Sequence, residues 1–201
     1  MAPNSRQFPK RGKAMRIVQP FCEIFSTAFG TMGIVWWNAE TGPRVRQVYL
    51  NNGRQAAEEI VRQDYPSARQ LVCPEIAGLV GQIQRVLAGK AEVFELEHVA
   101  MEVCRPFQRQ VLLAEYGIPR GRVSTYGKIA GHIGVPGGSR AVGRALAENP
   151  FPIIIPCHRA VRADGVIGGY QGGGEMKRAL LAMEGVAFTD RGTVSMQRMY
   201  Y

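Results

Sequence analysis

Apolar and polar residues alternate in two different ways along this chain. From Ile17 to Leu50, β-branched and aromatic residues cluster in three short runs, broken by Thr27-Ala28-Phe29-Gly30 and Asn38-Ala39-Glu40-Thr41-Gly42-Pro43. Both breaks carry turn-forming residues, so the stretch predicts a small antiparallel meander. Ala56 to Asp64 has helical character and stops before Tyr65-Pro66, because a proline pushes its predecessor out of the helical region. Pro74 to Leu87 sets Ile76, Leu79, Val80, Ile83 and Leu87 three and four residues apart, which is one buried helical face, and Gly89 ends it. Val93 to Leu96 reads as a returning strand.

Beyond Arg105-Pro106 the elements become shorter and more helical. Phe107 to Tyr116 predicts a helix ended by Gly117, with Ile118-Pro119-Arg120-Gly121 as connector. Ser124-Thr125 caps a short helix from Tyr126 to His132, whose Ile129, Ala130 and Ile133 face inward. Gly134 to Gly138 is a tight turn, and Ser139 caps a helix that runs to about Glu148 and is closed by Asn149-Pro150. Two short helices joined by a glycine turn predict a helix-turn-helix whose second helix reads DNA. Ile153-Ile154-Ile155 reads as a buried strand whose pairing Pro156 ends. Ala163-Asp164-Gly165, between Val161-Arg162 and Val166-Ile167, reads as a hairpin turn and hence a wing. Glu175 to Met183 places Met176, Ala179, Leu180 and Met183 on one helical face, with Gly185 as C-cap.

The predicted fold class is mixed α/β (α+β), a small N-terminal antiparallel sheet with helices followed by a winged helix-turn-helix. The expected organisation is a basic tail at 1–15, a scaffold domain at 16–104, a DNA-binding and catalytic domain at 105–187 and a C-terminal tail at 188–201.

Composition narrows the function classes. With 46% apolar residues in 201, the chain can bury a real core. No apolar stretch approaches the roughly 18 to 20 residues that cross a bilayer, so no membrane partner is expected. Lys and Arg outnumber Asp and Glu by 25 to 16, a net charge of +9, which points to a polyanion, nucleic acid ahead of anionic lipid. Cys22, Cys73, Cys104 and Cys157 form no Cys-x-x-Cys pair and no zinc-finger spacing, so neither a disulfide scaffold nor a metal is implied, and a reducing compartment fits. Arg6, Lys10, Arg11 and Lys13 with Pro3, Pro9 and Gly12 read as a solvated basic tail without the apolar segment of a secretory signal. A dedicated DNA arm is the other reading of that tail, and Met15 is an alternative start.

Candidate chemistry centres on Cys157, which leaves the apolar run and is followed by His158. A thiol near an imidazole can ionise near neutral pH and become a strong nucleophile, although the same adjacency also describes an inert core cysteine beside a histidine. On the helix after Ser139, Val142, Ala145 and Leu146 form the core stripe, while Arg140, Gly143, Arg144 and Ala147 share the opposite face. Tyr126, Tyr170 and the glycines 168, 169, 172, 173 and 174 are pocket candidates, since glycine permits close backbone approach. Glu184 falls at a helix C-terminus, where a carboxylate needs a cationic or hydrogen-bonding partner.

Taken in order, Arg140-Ala141-Val142-Gly143, Asn149-Pro150, Pro156-Cys157-His158-Arg159, Gly168-Gly169-Tyr170 and Lys177 through Gly185 resemble the O6-alkylguanine-DNA alkyltransferases, from about Arg105 to Val186. The resemblance implies a ribonuclease H-like N-terminal domain packed on the catalytic one. It implies that Arg140 enters the minor groove and fills the space of a flipped nucleotide, with Ser139, Ala141, Gly143, Arg144 and Tyr126 as further DNA contacts. Cys157 would take the alkyl group once and irreversibly, in a relay from Glu184 through a charged His158 and a water. Asn149 would brace the turn, and Tyr126 would hydrogen-bond the purine. Gly169, Tyr170, Gln171, Gly172 and Arg159 would form the substrate pocket. The implied partner is double-stranded DNA carrying alkylated bases, met by a monomer in the cytoplasm at the nucleoid, or in the nucleus of a eukaryote, with no metal and no cofactor. Gln171 departs from the smaller residue common in the family and bears on pocket size. A lesion sensor without transfer activity is argued against by Cys157, since such relatives carry tryptophan there. A Cys-His-Glu hydrolase has no use for an arginine-bearing reading helix.

Overall fold

A computed structural model describes residues 19–53 and 55–201, so the basic tail at 1–15, the scaffold positions 16–18 and Arg54 lie outside the described residues. The predicted meander is present as β1 (Phe21–Thr27), β2 (Gly30–Ala39) and β3 (Gly42–Tyr49). Cys22 pairs with Val35 and Ile34 with Val48. Because side chains alternate along a strand, β2 sends Met32, Ile34 and Trp36 to one face and Val35 to the other. Helix α1 (Ala57–Asp64) covers the second face, where Val61 meets Cys22 and Val35. Its close approach is made possible by Gly33, where a Cβ would lie 2.8 Å from a Val61 methyl carbon. The short β4 (Arg69–Gln70) then runs parallel to β1, an addition the sequence did not predict, giving the order β3-β2-β1-β4.

Helix α2 (Pro74–Leu87) covers the first face, burying the predicted residues Ile76, Leu79, Val80, Ile83 and Leu87. The strand expected at Val93–Leu96 is absent: the chain is irregular there and enters a 3₁₀ turn at Leu96–His98. Phe94 goes into the core and its carbonyl accepts from the Tyr116 hydroxyl, so a side chain satisfies the backbone that a ladder was expected to satisfy.

The second half runs α3 (Pro106–Tyr116), β5 (Ser124–Thr125), α4 (Tyr126–His132), α5 (Ser139–Ala147), β6 (Ala160–Val161) and α6 (Gly173–Met183). Thr125 caps α4 as expected, accepting from Lys128 N at 3.2 Å. Ser139 does not cap α5. It is the first helical residue, and the cap position is Gly138, whose carbonyl receives Val142 N at 2.9 Å. The turn at Ala163-Asp164-Gly165 closes through Gly165 N to Arg162 O at 3.0 Å, but its arms form no antiparallel ladder. Instead β6 pairs in parallel with β5. The C-terminal stretch is docked rather than loose. Val123 bridges Met199, Tyr200 N donates to Val123 O at 2.8 Å, and Tyr201 Oη donates to Ala114 O at 2.8 Å.

One contiguous core joins both halves, running from Trp36, Val45 and Ile83 through Leu112 and Ile129 to Phe151 and Cys157. Val48 N donates to Pro150 O at 2.8 Å, so the last strand of the meander is tied directly to the segment that carries the cysteine. Among the described residues no helix is long and apolar enough to cross a membrane.

Phe151 is fully enclosed where the halves meet. Replacing it with alanine is expected to cost about 3–5 kcal/mol, the range for truncating a buried aromatic ring. Urea denaturation reads this directly, and a midpoint close to that of the parent would show that packing does not hold the cysteine segment.

Candidate active site

Cys157 opens a 3₁₀ turn, Cys157–Arg159, and is reached through a buried turn rather than the predicted strand. Three prolines at 150, 152 and 156 remove the donors that a ladder would use. The remaining groups bond locally: Ile155 N to Phe151 O and Cys157 N to Ile155 O, both at 2.8 Å. Ile153 takes a left-handed conformation, with φ of 74°. A β-branched residue adopts that only when its surroundings enforce it. Asn149 supplies much of the enforcement, donating from Nδ2 to Ile155 O at 3.2 Å and accepting Phe151 N at 2.9 Å. Its side chain also reaches the thiol.

The thiol faces a cavity of about 320 Å3 lined by Tyr126, Gly143, Leu146, Ala147, Gly169, Tyr170 and Gln171. Its roof is therefore helix α5. A neighbouring groove lined by Ser139, Arg140, Gly143, Arg162 and Asp164 shares Tyr126 and Gly143 with the cavity. Arg140 is exposed and makes no hydrogen bond or ion pair with the described residues, whereas Arg144 pairs with Glu148 at 3.0 Å. Val142, Ala145 and Leu146 are buried beneath them, as the spacing predicts. Gly168 has a φ of 73° and lies against Tyr126, where a Cβ would come within 2.9 Å of the phenol oxygen.

Burial dominates the electrostatics. It pushes the Cys157 thiol up to about 12, outweighing the Asn149 hydrogen bond, so the resting group is a thiol. Burial also pulls His158 below its ordinary value despite Glu184. The expected charged imidazole is thus corrected to a neutral one: at 1% exposure, desolvation disfavours the cation more than one carboxylate favours it. Glu184 is also raised by burial, but hydrogen bonds and charges from His158 and Arg159 overcome this and bring it to about 2. The ionised carboxylate only accepts, so His158 donates Nε2–H to Glu184 Oε1 at 2.9 Å. Nδ1 is left as an acceptor, buried and without a partner among the described residues. That is the arrangement of a general base. Burial raises Tyr126, as do the Glu115 and Cys157 charges, and it remains a protonated donor.

The structure brings together most of the residues singled out in the sequence. Cys157, Tyr126, Gly143, Gly169, Tyr170 and Gln171 share one cavity, Asn149 braces it from behind, and Ser139, Arg140, Ala141 and Arg144 are exposed along α5. Two pocket assignments are corrected. Arg159 points away from the cavity and grips Glu184, Nε to Oε2 at 2.9 Å and Nη2 to Oε1 at 2.8 Å, because a carboxylate at a helix C-terminus needs a full cation. Gly172 caps α6 and packs toward Met176 and Leu50, outside the cavity. The predicted stripe of α6 is rotated: Met176, Lys177, Leu180 and Leu181 are buried and Met183 is exposed. Sequence reasoning missed buried Lys177 and Glu115, since a charged residue inside an amphipathic pattern reads as the solvent face.

A family model for the DNA-binding domain of 6-O-methylguanine DNA methyltransferase matches residues 106–186. A methylated-DNA–protein-cysteine methyltransferase of Methanothermobacter thermautotrophicus is 44% identical over 112 residues, 56% of this chain and 62% of that protein, so the match spans less than two thirds of that relative. Proteins of the same name from Mycobacterium tuberculosis and Salmonella typhimurium are 40% and 33% identical, over 62% and 77% of this chain and 76% and 91% of theirs. Among solved structures, Mycobacterium tuberculosis OGT in complex with DNA superposes with a TM-score of 0.65 at 32% identity, covering 82% of this chain and 93% of that one. The Pyrococcus kodakaraensis O6-methylguanine-DNA methyltransferase gives 0.61 at 26% identity, covering 83% and 99%.

Replacing Glu184 with glutamine strands Arg159 and removes the acceptor of His158. The expected cost is about 3–5 kcal/mol near neutral pH, as for breaking one side of a buried pair. Because the folded carboxyl titrates near 2 against an ordinary 4.5, its contribution is complete above 4.5 and is lost as pH falls toward 2. Parallel urea titrations at neutral and acid pH should show the gap between parent and variant narrowing in acid, and a constant gap would refute the charge argument.

Proposed function

The chain belongs to the methylated-DNA–protein-cysteine methyltransferase family, and on that premise we propose that it repairs DNA by moving a methyl or other alkyl group from O6-alkylguanine to its own Cys157. The observation that carries this reading is the single cavity in which a thiol, a tyrosine donor and the small residues of the arginine-bearing helix meet. Helices α4 and α5 serve as a helix-turn-helix with the 163–165 turn as wing, within a DNA-binding and catalytic unit spanning about residues 105–187. The four-stranded sheet with its helices acts as a ribonuclease H-like scaffold over about residues 16–104.

A thiol cannot reach a base substituent inside stacked DNA, so the nucleotide is extruded at a cost of a few kcal/mol. Arg140 suits the vacated space. It has no partner among the described residues, and a planar guanidinium both stacks on bases and donates hydrogen bonds. Gly143 and Ala147 leave room for the backbone and form the cavity wall, so the base passes from groove to pocket along one helix face. Ser139, Ala141 and Arg144 contact the flanking backbone.

In the pocket, His158 Nδ1 receives the thiol proton, directly or through a water, while Glu184 and Arg159 fix the ring. The sulfur attacks the alkyl carbon in line. The S–C bond forms as the C–O6 bond breaks, the electron pair leaves with guanine, and the ring regains a proton equivalent to the one the thiol gave up. Tyr126 donates a hydrogen bond to the purine and eases departure of the guanine anion. Tyr170 and Gln171 shape the alkyl site. The thioether is not reversed by thiol exchange, so each molecule acts once. The partner is double-stranded DNA with alkylated bases, met by a monomer working in the cytoplasm at the nucleoid, or in a nucleus.

Duplex DNA with labelled O6-methylguanine should transfer its label to the protein. Cys157→Ser should abolish transfer and leave lesion binding within a few-fold, because a hydroxyl is a far weaker nucleophile at neutral pH. Label appearing on the serine variant would remove Cys157 from its role. Arg140→Ala should slow transfer from duplex DNA far more than from free O6-benzylguanine, which needs no flipping, and equal losses on the two would refute insertion.

A further inference from the structure

Two further buried ionisable groups, Glu115 and Lys177, lie behind the nucleophile, on the side the histidine relay does not use. Glu115, in the last turn of α3, is 0% exposed; no side chain among the described residues donates to its carboxyl, which faces the backbone N–H of Ala160. Lys177, in the first half of α6, is enclosed to the same degree. Its ammonium donates to Ala160 O at 2.7 Å and to Gly169 O at 3.4 Å. These carbonyls flank the site, since Ala160 follows the Cys157 turn and Gly169 lines the cavity. Two carbonyls leave one ammonium proton uncommitted, and the charge acts on both the Cys157 sulfur and the Glu115 carboxyl.

The groups that face Glu115 come from every neighbouring element: Lys177 from α6, Arg159 and Cys157 from the 3₁₀ turn, Tyr126 from α4 and Tyr201 from the docked C-terminal stretch. Arg159 is committed to Glu184, which leaves Lys177 as the cation shared between carboxyl and thiol. Burial pushes Glu115 up to about 8 against the pull of Lys177 and Arg159, so near neutral pH it carries a proton. Burial also brings Lys177 down to about 8. A charge on Glu115 opposes the Cys157 thiolate, and the charge on Lys177 favours it.

We propose that Glu115 is a positioning residue of the transfer reaction: as a neutral acid it leaves the Lys177 ammonium to stabilise the Cys157 thiolate, and as a carboxylate it draws that ammonium to itself. Glu115 touches neither substrate nor sulfur in this role and acts through the lysine. A leucine of similar size would fill the same space, but it would leave thiolate formation without this control by pH.

The inference deepens the transfer reading, and its test is kept separate from it by using iodoacetamide, which alkylates a thiolate whether or not guanine is the natural donor. Carboxamidomethylation of the Cys157 peptide is followed by mass spectrometry across pH in the parent, Glu115→Gln, Lys177→Met and the double variant. Glu115→Gln should match the parent at about pH 6 and react roughly three- to tenfold faster as the pH approaches about 8, half to one unit of thiol ionisation. Lys177→Met should react more slowly up to about pH 8, where the parent lysine is still charged, and should cancel the glutamine advantage in the double variant. Superimposable parent and Glu115→Gln profiles, or an undiminished advantage without the lysine, would overturn the proposal. If Lys177→Met does not fold, thermal melts of Glu115→Gln decide. A carboxyl raised by folding costs the parent stability as pH climbs from the ordinary carboxylate range through about 8, so the Tm gap in favour of the variant should widen over that window. A gap that stays constant counts against the proposal.

Discussion

Everything around the nucleophile depends on one carboxylate. Glu184 closes α6, where the helix dipole alone would repel it, and is held there by the Arg159 guanidinium and His158 Nε2–H. Arg159 in turn donates to Ile118 O at 2.5 Å, and Gly121 N approaches the same carboxylate at 3.4 Å. Three parts of the chain therefore converge on Glu184: the end of α6, the cysteine turn and the connector after α3. With side-chain exposures of 3% for Glu184 and 14% for Arg159, the pair is little screened by solvent, and removing either partner leaves an uncompensated charge inside. The geometry of His158 follows from this contact and not from its place beside Cys157.

The same burial that strengthens Glu184 weakens the simplest account of the cysteine. A thiol next to a histidine suggests a standing thiolate, yet both groups are enclosed and both are driven toward their neutral forms. The site holds its charge in reserve. A thiol at rest resists adventitious electrophiles and oxidation, and in the mechanism proposed above its ionisation would be drawn out by a base and a cation acting together. Tyr126 stands between the two tasks, lining both the cavity and the groove along α5.

Much of this was legible in the sequence where local physics decides. The α2 face from Ile76 to Leu87, the Thr125 cap and the core stripe of α5 follow from spacing and capping alone. The failures share a cause. Ile153-Ile154-Ile155 looks like a strand because apolar periodicity cannot distinguish a buried strand from a buried turn, and only Asn149 and the surrounding core decide the matter. Val93 to Leu96 failed as a strand because a tyrosine side chain 22 residues away took the Phe94 carbonyl. Lys177 and Glu115 were invisible as interior groups because charged residues are almost never fully buried without partners, and the carbonyls that hold Lys177 come from other parts of the chain. Arg159 was misplaced for the same reason, although Glu184 at a helix end already called for a cation.

Gln171 ties α5 to the pocket. Its Nε2 donates to Ala147 O at 2.9 Å and Asn149 O at 2.8 Å, so the loop beside the cavity is fastened to the last carbonyls of α5 and to the brace of the cysteine turn. In mechanical terms the helix end and the cavity rim share one degree of freedom. On the proposed reading, pressure of DNA on α5 would be transmitted to the aperture over the thiol, and grip on a groove and the width of substituent admitted could not be tuned independently.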